Sequence, residues 1–135
     1  MNASAPVPAT WLSTRNPWVL ALLLAVLAAG LQLILPWWSA VVLAFGVCFG
    51  VAQSARSGFL AGFVGLGLSW LVPAAWLAFQ NQGLLAHRVA QLLPLGGSVP
   101  GLVLTTTLVI GLAGGLAGLA GRWVREALAP GRAAR

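Results

Sequence analysis

Four long stretches of this chain contain no charged side chain at all: 18–35, 37–53, 58–80 and 101–121. At 1.5 Å per residue, about 20 apolar residues in a helix reach across the ~30 Å hydrocarbon core of a bilayer. A soluble domain must put charge on its surface and is typically about one quarter charged. Here 6% of residues are charged and 60% are hydrophobic. The expected fold class is therefore all-α and integral to a membrane. It is a four-transmembrane-helix bundle with spans at about 18–35, 37–53, 58–80 and 101–121.

The breaks between these runs carry turn chemistry. Pro17 opens the first run, after a small, polar tail (1–17) expected on the cytoplasmic side. Pro36-Trp37-Trp38-Ser39 divides the first run from the second, with proline suited to a helix's first turn and paired tryptophans to the headgroup level. Ser54-Ala55-Arg56-Ser57 reads as a short polar turn, and Pro73 predicts a kink in the third span. Residues 81–100 form the longest non-spanning stretch, and 122–135 a basic tail. A small-residue site at Ala28-Ala29 raises the question of a cleaved leader. The apolar run continues past it to Leu35, which favours a retained span.

The net charge of +6 comes from seven Arg, no Lys, one Glu and no Asp. With four spans, Arg15, Arg56, Arg122, Arg125, Arg132 and Arg135 share one side, and Arg88 with His87 the other. The positive-inside bias then puts both termini and Arg56 in the cytoplasm and makes 81–100 the external loop. It also argues against a dual-topology protein and against nucleic acid as partner, since the arginines sit at segment ends.

Helices in lipid associate by close packing and a few polar contacts. Each span carries a stripe of small or polar residues at helical spacing. These are Ala21, Ala25, Ala28 and Gln32; Ser39, Gly46, Gly50 and Gln53; Gly58, Gly62, Gly65 and Ser69; and Gly111, Gly114, Gly115 and Gly118. The glycines are expected to pack helices, within the chain or across an oligomer. The alternative is a backbone-lined path for a small solute.

The inventory for chemistry is small. Cys48 has no second cysteine to pair with, and no metal-type spacing is present. Glu126 stands one turn from Arg122, as an ordinary i,i+4 ion pair. His87 lacks an acidic or thiol companion nearby in sequence. The glycines of 111–121 lie in a hydrophobic span, not in a phosphate loop after a strand. No catalytic residue, cofactor or metal ligand is expected, and the chain reads as a non-enzyme. Buried polarity is offered by Gln32, Gln53, Ser69, Thr105, Thr106 and Thr107, of which Gln32, Ser69 and the three threonines are the candidates for a polar path. They line a neutral path, or hydrogen-bond between helices or back onto their own helix.

In the external loop, His87, Arg88 and Gln91 share one helical face, with Leu85, Val89, Leu92 and Leu93 opposite. This predicts a short amphipathic helix on the membrane surface, ended by Pro94, whose polar face meets lipid or a partner.

Several segments together carry a resemblance: LPWWSA (35–40), FLAGF (59–63), the stretch through Trp70 and Ala75, NQGLLAHRVAQLLPLGG (81–97) and TTTLVIGLAGGLAGLAG (105–121). They resemble an uncharacterised group of small bacterial four-span inner-membrane proteins. The resemblance covers most of the chain after residue 17 and implies a bacterial inner-membrane location; it implies no activity. Small multidrug transporters carry a carboxylate in their first span, which is missing here. Fluoride channels carry Thr-Thr-Phe-Ser, and Thr105-Thr106-Thr107 lacks the Phe-Ser continuation.

The expected role is an accessory or assembly subunit, or a scaffold, of an inner-membrane complex. It would contact the bilayer and either a membrane-protein partner or further copies of itself. A passive channel for a small neutral or anionic solute is the alternative, and lipid handling a third.

Overall fold

The computed structural model describes residues 16–93 and 96–129. Most of the two expected tails, including Arg15, Arg132 and Arg135, lies outside them, as does Pro94. Among the described residues the chain is all-helical, with five helices and no strand. These are α1 (Pro17–Leu31), α2 (Ser39–Val51), α3 (Ala55–Gln80), α4 (Leu84–Leu92) and α5 (Val99–Leu128).

Two helices, α3 and α5, are long and apolar enough to cross a membrane, where the sequence led us to expect four. They have 26 and 30 residues, about 39 and 45 Å at the standard rise. Helix α1 has 15 residues and α2 only 13, about 23 and 20 Å. The apolar run does not stop at Leu31, but the helix does. The amides of Leu33 and Ile34 turn back to Gly30 and Leu31 in tight three-residue turns. Pro36 also biases Leu35 away from helical geometry. Helix α2 starts at Ser39, not Trp37, and the Ser39 hydroxyl donates to the Pro36 carbonyl at 2.7 Å. At the other end Ala52 is extended.

The polar segment 54–57 is not a separate turn. Ser54 is the N-cap of α3. Its side chain accepts from the Ser57 amide at 3.1 Å, and the Ser57 hydroxyl faces the Ser54 amide at 3.0 Å. This reciprocal box satisfies two of the amides that a helix start leaves free, so α3 begins three residues earlier than its apolar pattern. The starts of α1 and α5 also have side-chain caps, while those of α2 and α4 have none. Asn16 accepts from the Trp18 amide before Pro17, and Ser98 from the Gly101 amide before Pro100.

Helices α3 and α5 form the central antiparallel pair, with α1 against α3 and α2 against α5. The start of α3 lies beside Gly118 of α5 and Ala52 at the end of α2. The start of α5 lies beside the α3–α4 turn, where Gly83 meets Val99. One end of the bundle thus carries Arg56, Arg122 and Arg125, and the other carries α4 and the 32–38 turn.

The interior is made of small residues. Ala21, Ala28, Ala40, Ala44, Cys48 and Ala61 are buried, and among the described residues Leu20, Leu24 and Leu66 are the large side chains fully enclosed. Large apolar side chains face outward: Val26 is 71% exposed, Val72 66%, Ile34 86% and Phe79 84%. A water-soluble fold places these classes the other way round. Small residues inside and large ones outside is the arrangement that brings helix backbones together where the solvent is itself apolar.

Candidate functional site

The best-defined feature of the molecule is the contact between α3 and α5. A Cβ added at Gly62 would fall onto the carbonyl of Gly114, and one at Gly118 onto that of Gly58. Added at Gly114, it would meet the Gly62 carbonyl at 2.6 Å. Gly111 and Gly115 lie under the rings of Phe63 and Phe59, which stack with centroids 6.0 Å apart. Gly65 faces the other way, onto α1, where a Cβ would stand 2.8 Å from that of Leu24. Seven of the expected packing glycines thus sit in close contacts inside the chain: Gly58, Gly62, Gly65, Gly111, Gly114, Gly115 and Gly118.

Gly46 and Gly50 do not. Nothing lies within 4 Å of a Cβ at either position. Helix α2 turns Ala40, Ala44 and Cys48 inward, so the opposite face, with Val42, Phe45, Gly46 and Gly50, is left open. In a helix this short, two small-residue stripes compete for one neighbour, and the alanines take it. The face of α5 that meets α2 includes Gly121, where a Cβ would reach the backbone of Phe45 and stand 3.0 Å from the Phe49 nitrogen.

One helical turn beyond Gly121, Arg125 reaches across to the end of α2. Its Nη1 donates to the carbonyls of Gly50 (2.9 Å), Phe49 and Ala52 (both 3.4 Å). The last carbonyls of a helix have no internal partner and carry the negative end of its dipole, so a guanidinium there is favourable. From the sequence Arg125 counts only as one more positive charge. The i,i+4 spacing from Gly121 was the available signal, but it has meaning only once α2 is known to lie against that face. Arg122 pairs with Glu126 at 2.7 Å, as the spacing implies.

The polar residues expected along a path are dispersed. The Thr105 hydroxyl donates to the Gly101 carbonyl (2.8 Å) and that of Thr106 to Leu102 and Val103 (3.0 Å each). Both are back-bonded to their own helix and exposed. Thr107 turns toward Gly67 of α3, with its hydroxyl buried and without a partner among the described residues. Ser69 is buried and donates to Leu66 at 2.8 Å. Gln32, next to the end of α1, holds a buried Nε2 without a partner among the described residues. The structure brings Gln32 and Ser69 together on one groove between α1 and α3, and the three threonines elsewhere.

Helix α4 is amphipathic, but its polar face is divided. His87 Nδ1 lies 2.7 Å from the Gly97 carbonyl, and Gln91 Nε2 lies 3.2 Å from His87 Nε2. With the proton on Nδ1, the ring donates to Gly97 and accepts from Gln91. These two side chains tie the 96–98 turn to α4, while Arg88 remains exposed. Gly97 has φ +78°, and a Cβ there would stand 2.7 Å from the His87 ring. The turn therefore needs glycine for both conformation and space.

Beyond the seam, side chains line the junction of α3 and α5. A groove of about 590 Å³ opens between Ala75, Phe79, Val99 and Val103. A second, of about 340 Å³, runs beneath Leu85 and Val89 of α4, bordered by Trp70 and Asn81. Among the described residues no three of His, Cys, Asp and Glu gather as a metal set. No protein-family model, curated protein or solved structure matches this chain.

Proposed function

We propose that this chain is a non-enzymatic, multi-pass protein of a bacterial inner membrane, acting as an accessory or assembly subunit or a scaffold. The observation that carries the reading is the distribution of side-chain size, with glycine and alanine within the bundle and leucine, valine and tryptophan around it. Such a surface is compatible with acyl chains and incompatible with water as the sole solvent. All four long apolar segments cross in this proposal. Helix α1 is continued by the exposed apolar turn at Leu33, Ile34 and Leu35, and the tryptophans 37 and 38 mark the outer interface. Arg56, Arg122 and Arg125 at one end against Arg88 at the other argue for cytoplasmic termini.

A role in assembly follows from which faces remain unused. Seven glycines are consumed within the chain, so they offer nothing to a partner. The outer face of α2, around Gly46 and Gly50, and the exposed Arg88 on α4 remain available. A passive channel has less support, because Thr105 and Thr106 satisfy themselves on a face separate from Gln32 and Ser69. The resemblance to small four-span inner-membrane proteins agrees with this location.

Gentle extraction of the tagged protein from native membranes, followed by native mass spectrometry, tests the role. A stoichiometric partner is expected; a homo-oligomer points to a scaffold; a monomer that carries solute flux in liposomes overturns the proposal. Topology is read in a Cys48→Ser background with cysteines at Gln53 or Asn81, both exposed. Asn81→Cys should react with an impermeant thiol reagent on intact cells and Gln53→Cys should not; the reverse pattern would invert the orientation.

A further inference from the structure

Arg125 is held through one nitrogen only. Its Nη1 is fixed on the carbonyls of Phe49, Gly50 and Ala52. Nε and Nη2, the two donors of the guanidinium's side-on fork, meet no acceptor among the described residues. The contact with Gly50 is exposed, so the guanidinium is pinned at the surface and not enclosed by the fold. A guanidinium pinned in this way has lost its rotamer freedom before any ligand arrives, and its fork matches two oxygens of a phosphate. The charge around it is one-sided. Arg56 is exposed at the start of α3, four residues along from Ala52, and Arg122 stands three residues earlier on α5. Glu126, the one acidic residue of the chain, is engaged by Arg122 at 2.7 Å. Three arginines against one glutamate leave this end of the bundle positive. The negative end of the α2 dipole, which Arg125 caps, is offset by the positive end of α3, which starts at Ala55.

We infer that this end of the bundle binds an anionic phospholipid through its phosphate, with the free edge of Arg125 as the contact. The depth agrees. Arg125 lies about 39 Å along α5 from Val99, beyond a hydrocarbon core of ~30 Å and within the headgroup layer. Trp123 and Leu128, on the same stretch of α5, are exposed, and an exposed tryptophan suits the interface level. Charge selects among lipids. A zwitterionic lipid carries its own cation beside the phosphate, and the neighbouring arginines repel it. A lipid of the phosphatidylglycerol class carries none, and a basic cluster at the cytoplasmic surface attracts it.

This inference rests on the bilayer location proposed above, and one set of measurements separates the two. The full chain in a mild detergent is mixed with equal amounts of phosphatidylglycerol and phosphatidylcholine of matched acyl chains. Bound lipid is then counted by native mass spectrometry. Phosphatidylglycerol is expected to be retained about tenfold more strongly, the scale of one charge-assisted contact. Arg125→Lys keeps the charge but has no fork, and should remove most of that preference. Glu126→Gln removes the one opposing carboxylate and should raise the preference about two- to threefold, a gain that misfolding does not imitate. Arg88→Gln, at the other end of the bundle, should leave it unchanged. Equal retention of the two lipids, an unchanged preference in Arg125→Lys, a fall in Glu126→Gln, or a loss in Arg88→Gln equal to that in Arg125→Lys would overturn the inference. Displacement of the lipid by millimolar inorganic phosphate would also overturn it, by making a free anion the ligand. Release of the protein from membranes by alkaline carbonate would instead overturn the bilayer location.

Discussion

At the end of the bundle that carries Arg122 and Arg125, α3 and α5 touch through their backbones; toward α4 side chains of the same two helices line open grooves. The difference lies in which residues face across. Gly58 faces Gly118 and Gly62 faces Gly114, and at these two pairs a backbone carbonyl lies where a side chain would otherwise hold the helices apart. Beyond them the facing residues are Ala75, Phe79, Val99 and Val103, and side chains set the separation. A contact between backbones has one solution, because a carbonyl cannot adopt another rotamer. A contact between side chains has several. The arginine end therefore fixes how α3 and α5 meet, and the α4 end is where open grooves remain between side chains.

The sharpest way to break this contrast is to fill the seam. Gly62→Leu places a branched side chain on the Gly114 carbonyl. It should destabilise the folded protein by about 3 kcal/mol or more, the upper range for overpacking, read by SDS-induced unfolding in mixed micelles. Next is the loss of the cross-helix cap. Arg125→Ala leaves the carbonyls of Phe49, Gly50 and Ala52 without their donor, at a cost of about 1–3 kcal/mol. Hydrogen exchange should rise at the end of α2 and stay unchanged at the start of α5. At the open end, His87→Ala frees the 96–98 turn from α4. It should cost about 1 kcal/mol and raise exchange at Ser98 without affecting the seam. Smallest is Gly46→Leu on the open face of α2, expected to change stability by less than about 0.5 kcal/mol. If Gly46→Leu proves as damaging as Gly62→Leu, the two glycines share a role and the contrast between seam and surface fails. If it leaves stability intact but removes a co-purifying partner, the outer face of α2 is the assembly surface.

Much of this was legible in the sequence. The apolar runs, the start of α1 at Pro17, the amphipathic segment from Leu84 and the Arg122–Glu126 pair all depend on neighbours within about one turn or on a simple period. Seven of nine packing glycines could be named for the same reason, since a stripe at helical spacing shows which face is small. Gly46 and Gly50 could not be told apart from them. Helix α2 carries small residues on two faces, and only the neighbour it meets decides which one is buried. Helix lengths were misjudged where polar capping and hydropathy disagree. Ser54 and Ser57 extend α3 backward through a polar segment, while Pro36 halts the helix of α1 inside an apolar one.

By itself the sequence determined that the chain is helical and built of long apolar runs, because hydropathy and period are local properties. It also determined where close approach was permitted, because only glycine lacks a Cβ. The tertiary structure decided which permitted approaches are used. It set α3 against α5 with α1 and α2 outside them, and brought Arg125 to the end of a helix more than 70 residues earlier in the chain. It also gathered Gln32, Ser69 and Pro73 on one groove. Each of these depends on two segments meeting in space, and hydrogen bonds and packing at such a meeting leave no periodic trace in either segment alone.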